Sequence, residues 1–305
     1  MARLTATLSL AGLSLALGAG TAFAATLGQP EPWQLGFQLP ATDIAERVQS
    51  LSFWLHILAA AITIFVTGLL AYVCIKFSAK NNPTPQRFTH NTTVEVIWTV
   101  VPVLILVVMA YPSIKLLYYQ EVVPESELTI KATGYQWYWD YTYNVEGEDI
   151  IVESLMAGKG YATYDEMVAG MNDEGYEAEE IPNEMEWKLA ATAPMVVPVN
   201  TKVRLHVTAA DVMHAWTVPS FGVKVDAVPG RLNELWFEAN TVGRYFGQCS
   251  ELCGRDHSYM PIMVDVVPKE DWDARLGQMV EEYASSTGKP STVKVAAALP
   301  APAGE

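Results

Sequence analysis

The sequence is short of cysteine, of charge and, above all, of positive charge. Three cysteines, Cys74, Cys249 and Cys253, occur in 305 residues, too few for a disulfide scaffold of this size. Charged residues make up 17% of the chain, below the roughly 25% of an ordinary soluble protein. Lys and Arg number 19 against 34 Asp and Glu, a net charge of −15. That balance argues against nucleic acid as a partner, because phosphate binding needs clustered basic side chains. There is no C-x-x-C-H haem-attachment motif, and no Ser/His/Asp or paired-carboxylate pattern points to chemistry on a bound substrate.

The missing charge is concentrated in long apolar runs. Residues 1–24 join Arg3, an apolar stretch from Leu8 to Leu17 and Ala22-Phe23-Ala24, the pattern of a secretory signal peptide. An exported N-terminal segment, 25–50, would follow. From Leu51 to Ile75, and again from Val96 to Ile114, no Asp, Glu, Lys or Arg occurs. About 20 apolar residues cross a ~30 Å hydrocarbon core, so transmembrane helices are expected over 51–77 and 94–115. Pro102 and Pro112 are tolerable there because neighbouring helices re-satisfy the freed carbonyls. The connection, 78–93, is basic: Lys76, Lys80 and Arg87 precede any acid before Glu95. Positive loops stay inside, which makes the hairpin loop cytoplasmic and both flanks external.

Residues 116–285 read as one exported domain. Between 121 and 285 there are 29 acidic and 11 basic residues, a net of −18. Alternation at Leu128, Ile130 and Ala132, and at Val203, Leu205 and Val207, marks half-buried strands. Further short strands are expected near 231–238, 244–247 and 261–267, giving an all-β sandwich or Greek-key barrel. The stretch 153–186 breaks the pattern and reads as an inserted, partly helical excursion. The Lys/Pro/Ala tail, 286–305, has too little apolar mass to pack.

The chemistry concentrates in YFGQCSELCGRDHSYMPI. Cys249, Cys253, His257 and Met260 follow at spacings of four, four and three, and His214 sits upstream in DVMHAW. Two thiolates, two imidazoles and a thioether form a soft donor set, which leaves zinc and copper and disfavours Mg and Ca as occupants. Zinc would take Cys₂His₂ and leave Met260 idle. One early His, with Cys, His and Met before the last strand of a β-barrel, is the blue-copper pattern plus one Cys, and two bridging thiolates can hold two coppers. A Cys249–Cys253 disulfide is the competing reading.

Together the loop CSELCGRDHSYMP, DVMHAW, the aromatic run GYQWYWDY (134–141) and HNTTVEVIWT (90–99) resemble subunit II of haem–copper cytochrome c oxidase over about residues 45–285. The resemblance implies an N-terminal two-helix transmembrane hairpin followed by a cupredoxin-like Greek-key barrel, in a bacterial inner membrane. It implies a dinuclear CuA centre bridged by Cys249 and Cys253, with His214, His257, Met260 and the Glu251 carbonyl as further ligands. The Glu251 side chain would reach a Mg ion shared with the catalytic subunit. Trp137 would be the point where cytochrome c delivers electrons, and Asp140 and Asp211 candidate docking acids. Glu95 would mark the mouth of a proton pathway. The function implied is electron transfer from cytochrome c to haem in catalytic subunit I, within a complex with further subunits that reduces oxygen to water and pumps protons.

The residues themselves leave some roles open. Alternation puts Trp137 and Trp139 on one strand face, and four aromatics in five residues also fit a buried strand. Glu95 equally suits a helix N-terminus. The 14 acids between Asp140 and Glu186, against one base, Lys159, read either as a solvated face or as a surface that steers a basic partner. Tyr135 stands where the family usually carries His. A membrane-anchored copper chaperone or a mononuclear metal-binding protein is the alternative; thioredoxin-like chaperones, however, place their His downstream of the Cys pair.

Overall fold

The computed structural model describes residues 27–84, 87–145, 147–176 and 181–284. The expected signal peptide, 1–24, and tail, 286–305, lie outside the described residues. Two long helices open the described chain, α1 (Asp43–Lys76) and α2 (Thr92–Glu121). Each starts on a side-chain cap: Thr42 Oγ1 accepts from the Ala45 amide at 3.0 Å and Asn91 Oδ1 from the Val94 amide at 3.2 Å. Both helices are apolar enough to cross a membrane, and their charge-free windows are uncovered in the isolated chain.

The helices outrun the charge-free stretches because their domain-side turns belong to the domain's own packing. Ile44 and Ala45 are buried, and Thr42 Oγ1 donates to the Phe221 carbonyl at 2.7 Å. The Tyr119 hydroxyl donates to Asp43 at 2.6 Å, while its ring meets Trp236 edge-on at 5.5 Å. The hairpin is therefore joined to the β domain by hydrogen bonds and ring contacts as well as by the chain itself.

Ten strands follow. A five-stranded sheet has the order β3 (Glu148–Ser154), β2 (Tyr138–Val145), β1 (Leu128–Tyr135), β5 (Lys202–Ala209), β8 (Asn233–Glu238), with β1 and β5 parallel. A second sheet orders β4 (Met195–Pro198), β10 (Pro261–Val267), β9 (Gly243–Gln248), and β6 (His214–Val218) pairs with β7 (Val223–Ala227). One core lies between them, built on Trp139, Tyr141, Trp216, Phe237 and Tyr245. Each fully buried large apolar side chain stabilises the fold by roughly 1.5–3 kcal/mol. The buried Tyr143 hydroxyl ties the sheets together, donating to the Val196 carbonyl and accepting from its amide. This is the helical hairpin and cupredoxin-like β domain that the sequence leads one to expect.

Two α-helices decorate the domain among the described residues. Within the excursion, α3 (Tyr164–Asp173) starts on Thr163 and buries Met167 and Met171. The amphipathic α4 (Trp272–Ala284), which the strand pattern did not foretell, packs Met279 and its neighbours against the sheet next to β3.

Candidate metal centre

Three strand ends converge on one buried pocket. His214 opens β6, Cys249 follows β9 directly, and the loop 249–260 returns into β10. The loop is closed at its base, where the Cys249 amide donates to the Met260 carbonyl at 3.0 Å. It is pinned to the His214 strand by the Ser250 amide, which donates to Ala215 at 3.1 Å. Gly247 lets β9 pass against the Thr217 carbonyl of β6, a place where any Cβ would overlap backbone.

Cys249, Cys253 and His214 are buried, and their donor atoms all lie within 4.8 Å of one another. Both cysteines are free, with sulfurs 3.8 Å apart. His214 Nδ1 is 3.8 Å from Cys249 Sγ, and His257 Nδ1 is 3.5 Å from Cys253 Sγ. The Glu251 carbonyl is 3.3 Å from Cys249 Sγ, and Met260 is fully buried at the base of the loop. A zinc or copper ion would find deprotonable sulfur and imidazole nitrogen here, shielded from water.

The electrostatics favour one thiolate. Burial opposes charge on both sulfurs, yet the His214 contact and backbone groups of the loop hold the Cys249 thiol below its ordinary range. Cys253 is pushed up by burial and then by the neighbouring Cys249 charge. Burial also works against a charged His214, but Cys249 and Asp211 outweigh it and raise that imidazole's pKa.

Asp211 is more than a surface acid. Its carboxylate pairs with His214 Nε2 at 2.9 Å, leaving Nδ1 toward the sulfurs, and accepts from the Gln136 amide at 2.7 Å. Such outer contacts fix a ligand's tautomer and ring orientation. Trp137 stands in the turn between β1 and β2, half-exposed, and its indole Nε1 donates to the Cys253 carbonyl at 3.2 Å. Trp139 is fully buried, with its ring 6.0 Å from that of His214. The two tryptophans thus do not share a face, because the Gln136–Trp137 turn interrupts the strand period. Only Trp137 of the pair touches both solvent and the metal loop.

Asp140 is mostly buried on β2. Burial and then the Glu153 charge push its pKa up to about 6, and one of its oxygens lacks a hydrogen-bond partner among the described residues. Glu95 lies in the first turn of α2, where its carboxylate accepts from the Asn91 amide at 3.1 Å. Three contributors escaped sequence reasoning. Gln136 Nε2 donates to the Cys253 carbonyl at 2.8 Å, Gly134 leaves room for the His214 ring, and Arg255 sits 5.5 Å from the Trp137 ring. The run GYQWYWDY contained the first two, but nothing in its spacing singles them out.

Fold and site together define a chain with two helices apolar enough to cross a membrane and a β sandwich that gathers, at one end, a buried soft donor set able to hold a metal ion. Residues 128–267 match the family described as cytochrome c oxidase subunit II, periplasmic domain, and residues 30–116 match its transmembrane domain. A probable cytochrome c oxidase subunit 2 from Rickettsia bellii is 45% identical over 245 residues, covering 80% of this chain and 84% of the relative. A cytochrome c oxidase subunit 2 from Cereibacter sphaeroides is 46% identical over 257 residues, covering 83% and 82%. The crystal structure of the periplasmic domain of subunit II from Bradyrhizobium japonicum aligns with TM-score 0.42 and 41% identity, over 53% of this chain and 99% of that one. The chain belongs to the cytochrome c oxidase subunit II family, the electron-transfer subunit of a haem–copper terminal oxidase.

Proposed function

We propose that this chain holds a dinuclear CuA centre on Cys249, Cys253, His214, His257, Met260 and the Glu251 carbonyl, and through it serves as the electron port of its oxidase. The observation that carries the reading is the convergence of two free thiols and a buried imidazole within 4.8 Å, with a second imidazole 3.5 Å from one sulfur. A copper pair bound there would supply reversible one-electron chemistry. The protein's part is to hold the donors, exclude water and fix the His214 ring through Asp211. The donor set fits: neither sulfur is tied up in a disulfide, and Met260 gives the thioether that zinc would leave unused.

Cytochrome c is the donor in this reading, and haem in catalytic subunit I the acceptor, with oxygen reduction and proton pumping belonging to the assembled complex. Trp137 is the point of electron delivery; its contact with the Cys253 carbonyl gives a short covalent and hydrogen-bonded link from the surface to the ligand loop. Asp211 and part of the acidic face 140–186 would steer a basic cytochrome. Asp140, being largely buried, contributes less to docking than Asp211. The Glu251 side chain is assigned to a Mg ion shared with subunit I, and Glu95 to the mouth of a proton path. We further assign residues 1–24 to a signal peptide, the loop 78–93 to the cytoplasm, and the β domain to the periplasm of a bacterial inner membrane.

Stopped-flow mixing of reduced cytochrome c with the copper-loaded chain tests this. Rapid oxidation of the cytochrome, slowed at least tenfold by Trp137→Ala with the copper spectrum unchanged and weakened by salt, is expected. Transfer that is indifferent to both changes would remove Trp137 and the acidic face from the account.

A further inference from the structure

Where the two apolar helices meet the β domain, an open cleft of about 940 Å³ lies between them and the part of β5 and β8 that carries Lys202 and Trp236. This lies in the range of sites that enclose drug-sized ligands, about 300–1,000 Å³. One wall is apolar and aromatic, with Leu51 and Trp54 from α1 and Tyr111 and Pro112 from α2. The rim toward the domain carries Lys115 and Lys202. The charge-free stretch of α1 begins at Leu51 and that of α2 ends at Ile114. The cleft therefore straddles the level at which hydrocarbon gives way to headgroups, where Trp and Tyr gather.

The rim runs against the charge of its surroundings, since residues 121–285 carry a net −18. Neither Lys115 nor Lys202 forms a salt bridge among the described residues. Of the carboxylates near Lys202, Glu127 is already paired with Lys269 at 3.1 Å, and Glu238, its cross-strand neighbour on β8, forms no ion pair with it among the described residues. Arg47, also in the cleft, is committed to Asp43 at 2.7 Å and to the face of Tyr119. Trp236 is 7% exposed, and its indole N–H has no acceptor among the described residues. The cleft thus offers two ammonium groups that no ion pair engages among the described residues, above a greasy slot.

We propose that this cleft binds an anionic phospholipid of the domain-side leaflet. The headgroup phosphate lies against Lys115 and Lys202, and an acyl chain runs down past Leu51, Trp54 and Pro112. Paired ammonium groups at headgroup level attract an anionic headgroup by the same electrostatics that hold anionic lipid at basic pockets on the cytoplasmic side. A helix of a neighbouring subunit could cover the apolar wall, but it would leave both ammonium groups without an anionic partner; a lipid phosphate supplies one to both.

Native mass spectrometry of the full chain in mild detergent, titrated with dioleoyl-phosphatidylglycerol or dioleoyl-phosphatidylcholine, is the test. One phosphatidylglycerol should be retained at concentrations where phosphatidylcholine is not. Lys115→Gln with Lys202→Gln should weaken that retention about 10- to 30-fold, and Lys115→Arg with Lys202→Arg should preserve it. Unchanged copper loading will show that the Gln variant is folded. Within the intact oxidase complex, the Gln variant should co-purify with one phosphatidylglycerol fewer. Equal retention of the two lipids, or indifference to the Gln substitutions, overturns the proposal. An unaltered lipid count in the complex also overturns it, since a neighbouring subunit would then occupy the cleft.

Discussion

Replacing Gly134 by Ala probes how tightly the fold aims His214. Gly134 lies on β1 directly behind the imidazole, and a Cβ placed there would sit 2.8 Å from His214 Cδ2 and 3.0 Å from Cγ. Carbon atoms in contact prefer about 3.5–4.0 Å, so the ring must yield by about 0.7 Å or the strand must shift. The ring has little freedom, since its Nε2 is fixed by Asp211 at 2.9 Å and the Trp139 ring lies 6.0 Å away. Overpacking of this kind costs about 1–3 kcal/mol. At about 2–4 °C per kcal/mol for a domain of this size, the metal-free melting temperature should fall by several degrees. Displacing a ligand-orienting contact should also weaken copper binding about 10- to 100-fold, read by competition with a chelator, and alter the copper spectrum. Gly277→Ala is the control. It lies on exposed α4 with nothing within 4 Å of the new methyl group, and it should leave the spectrum intact and the melting temperature the same or higher. A Gly134→Ala protein with unchanged copper affinity and melting point would refute the claim that the wall behind His214 is closed.

Three other substitutions follow from the same contacts. Asp211→Ala removes the acceptor of both His214 Nε2 and the Gln136 amide; copper affinity should drop about 10- to 100-fold by chelator competition, and an unchanged value would show that Asp211 does not orient the ligand. Asp265→Ala strands Arg244, which it now holds through two hydrogen bonds of 2.7 and 2.8 Å across β9 and β10. Urea unfolding should register a loss of about 3–5 kcal/mol, and a loss under about 1 kcal/mol would contradict the reading of a buried, matched pair. Asp140 has its pKa raised to about 6 by burial and by Glu153, against 3.8 when unfolded. Between about pH 4 and 6 the folded state keeps a proton that the unfolded state has released, so stability falls as pH rises through that window. Asp140→Asn should therefore stabilise at pH 8 by about 1 kcal/mol, a figure reduced for the solvent that reaches the group, and do little at pH 4; equal effects in thermal melts at both pH values would count against it.

Much of this protein is legible in its sequence because the strongest signals are local. Charge-free stretches from Leu51 to Ile75 and Val96 to Ile114 mark the helices, and the spacing of Cys249, Cys253, His257 and Met260 within one loop marks the donor set. What escapes is what depends on long-range placement. The sequence offers His214 in DVMHAW as a donor, but its distance to the loop, 3.8 Å from Cys249 across 35 residues, comes only from the approach of β6 to β9. The turn at Gln136 breaks the alternation that would put Trp137 beside Trp139, and no residue type there announces it. The helices reach Asp43 and Glu121 because the Tyr119 ring meets Trp236 of β8 and Ile44 joins the domain core, which hydropathy does not register. Helix α4 is too short and too polar to stand out by composition; its apolar stripe of Trp272, Met279, Val280 and Tyr283 gains meaning only against the sheet.

The central claim is that one buried loop and one distant histidine hold two coppers sharing an electron. Metal analysis of the full chain, loaded with copper in detergent, together with its electron paramagnetic resonance spectrum, tests this most directly. The account predicts two coppers per chain and one unpaired electron delocalised over both nuclei, with both features lost in Cys249→Ser. A single copper with a mononuclear spectrum, or stable zinc occupancy with no signal, would contradict it.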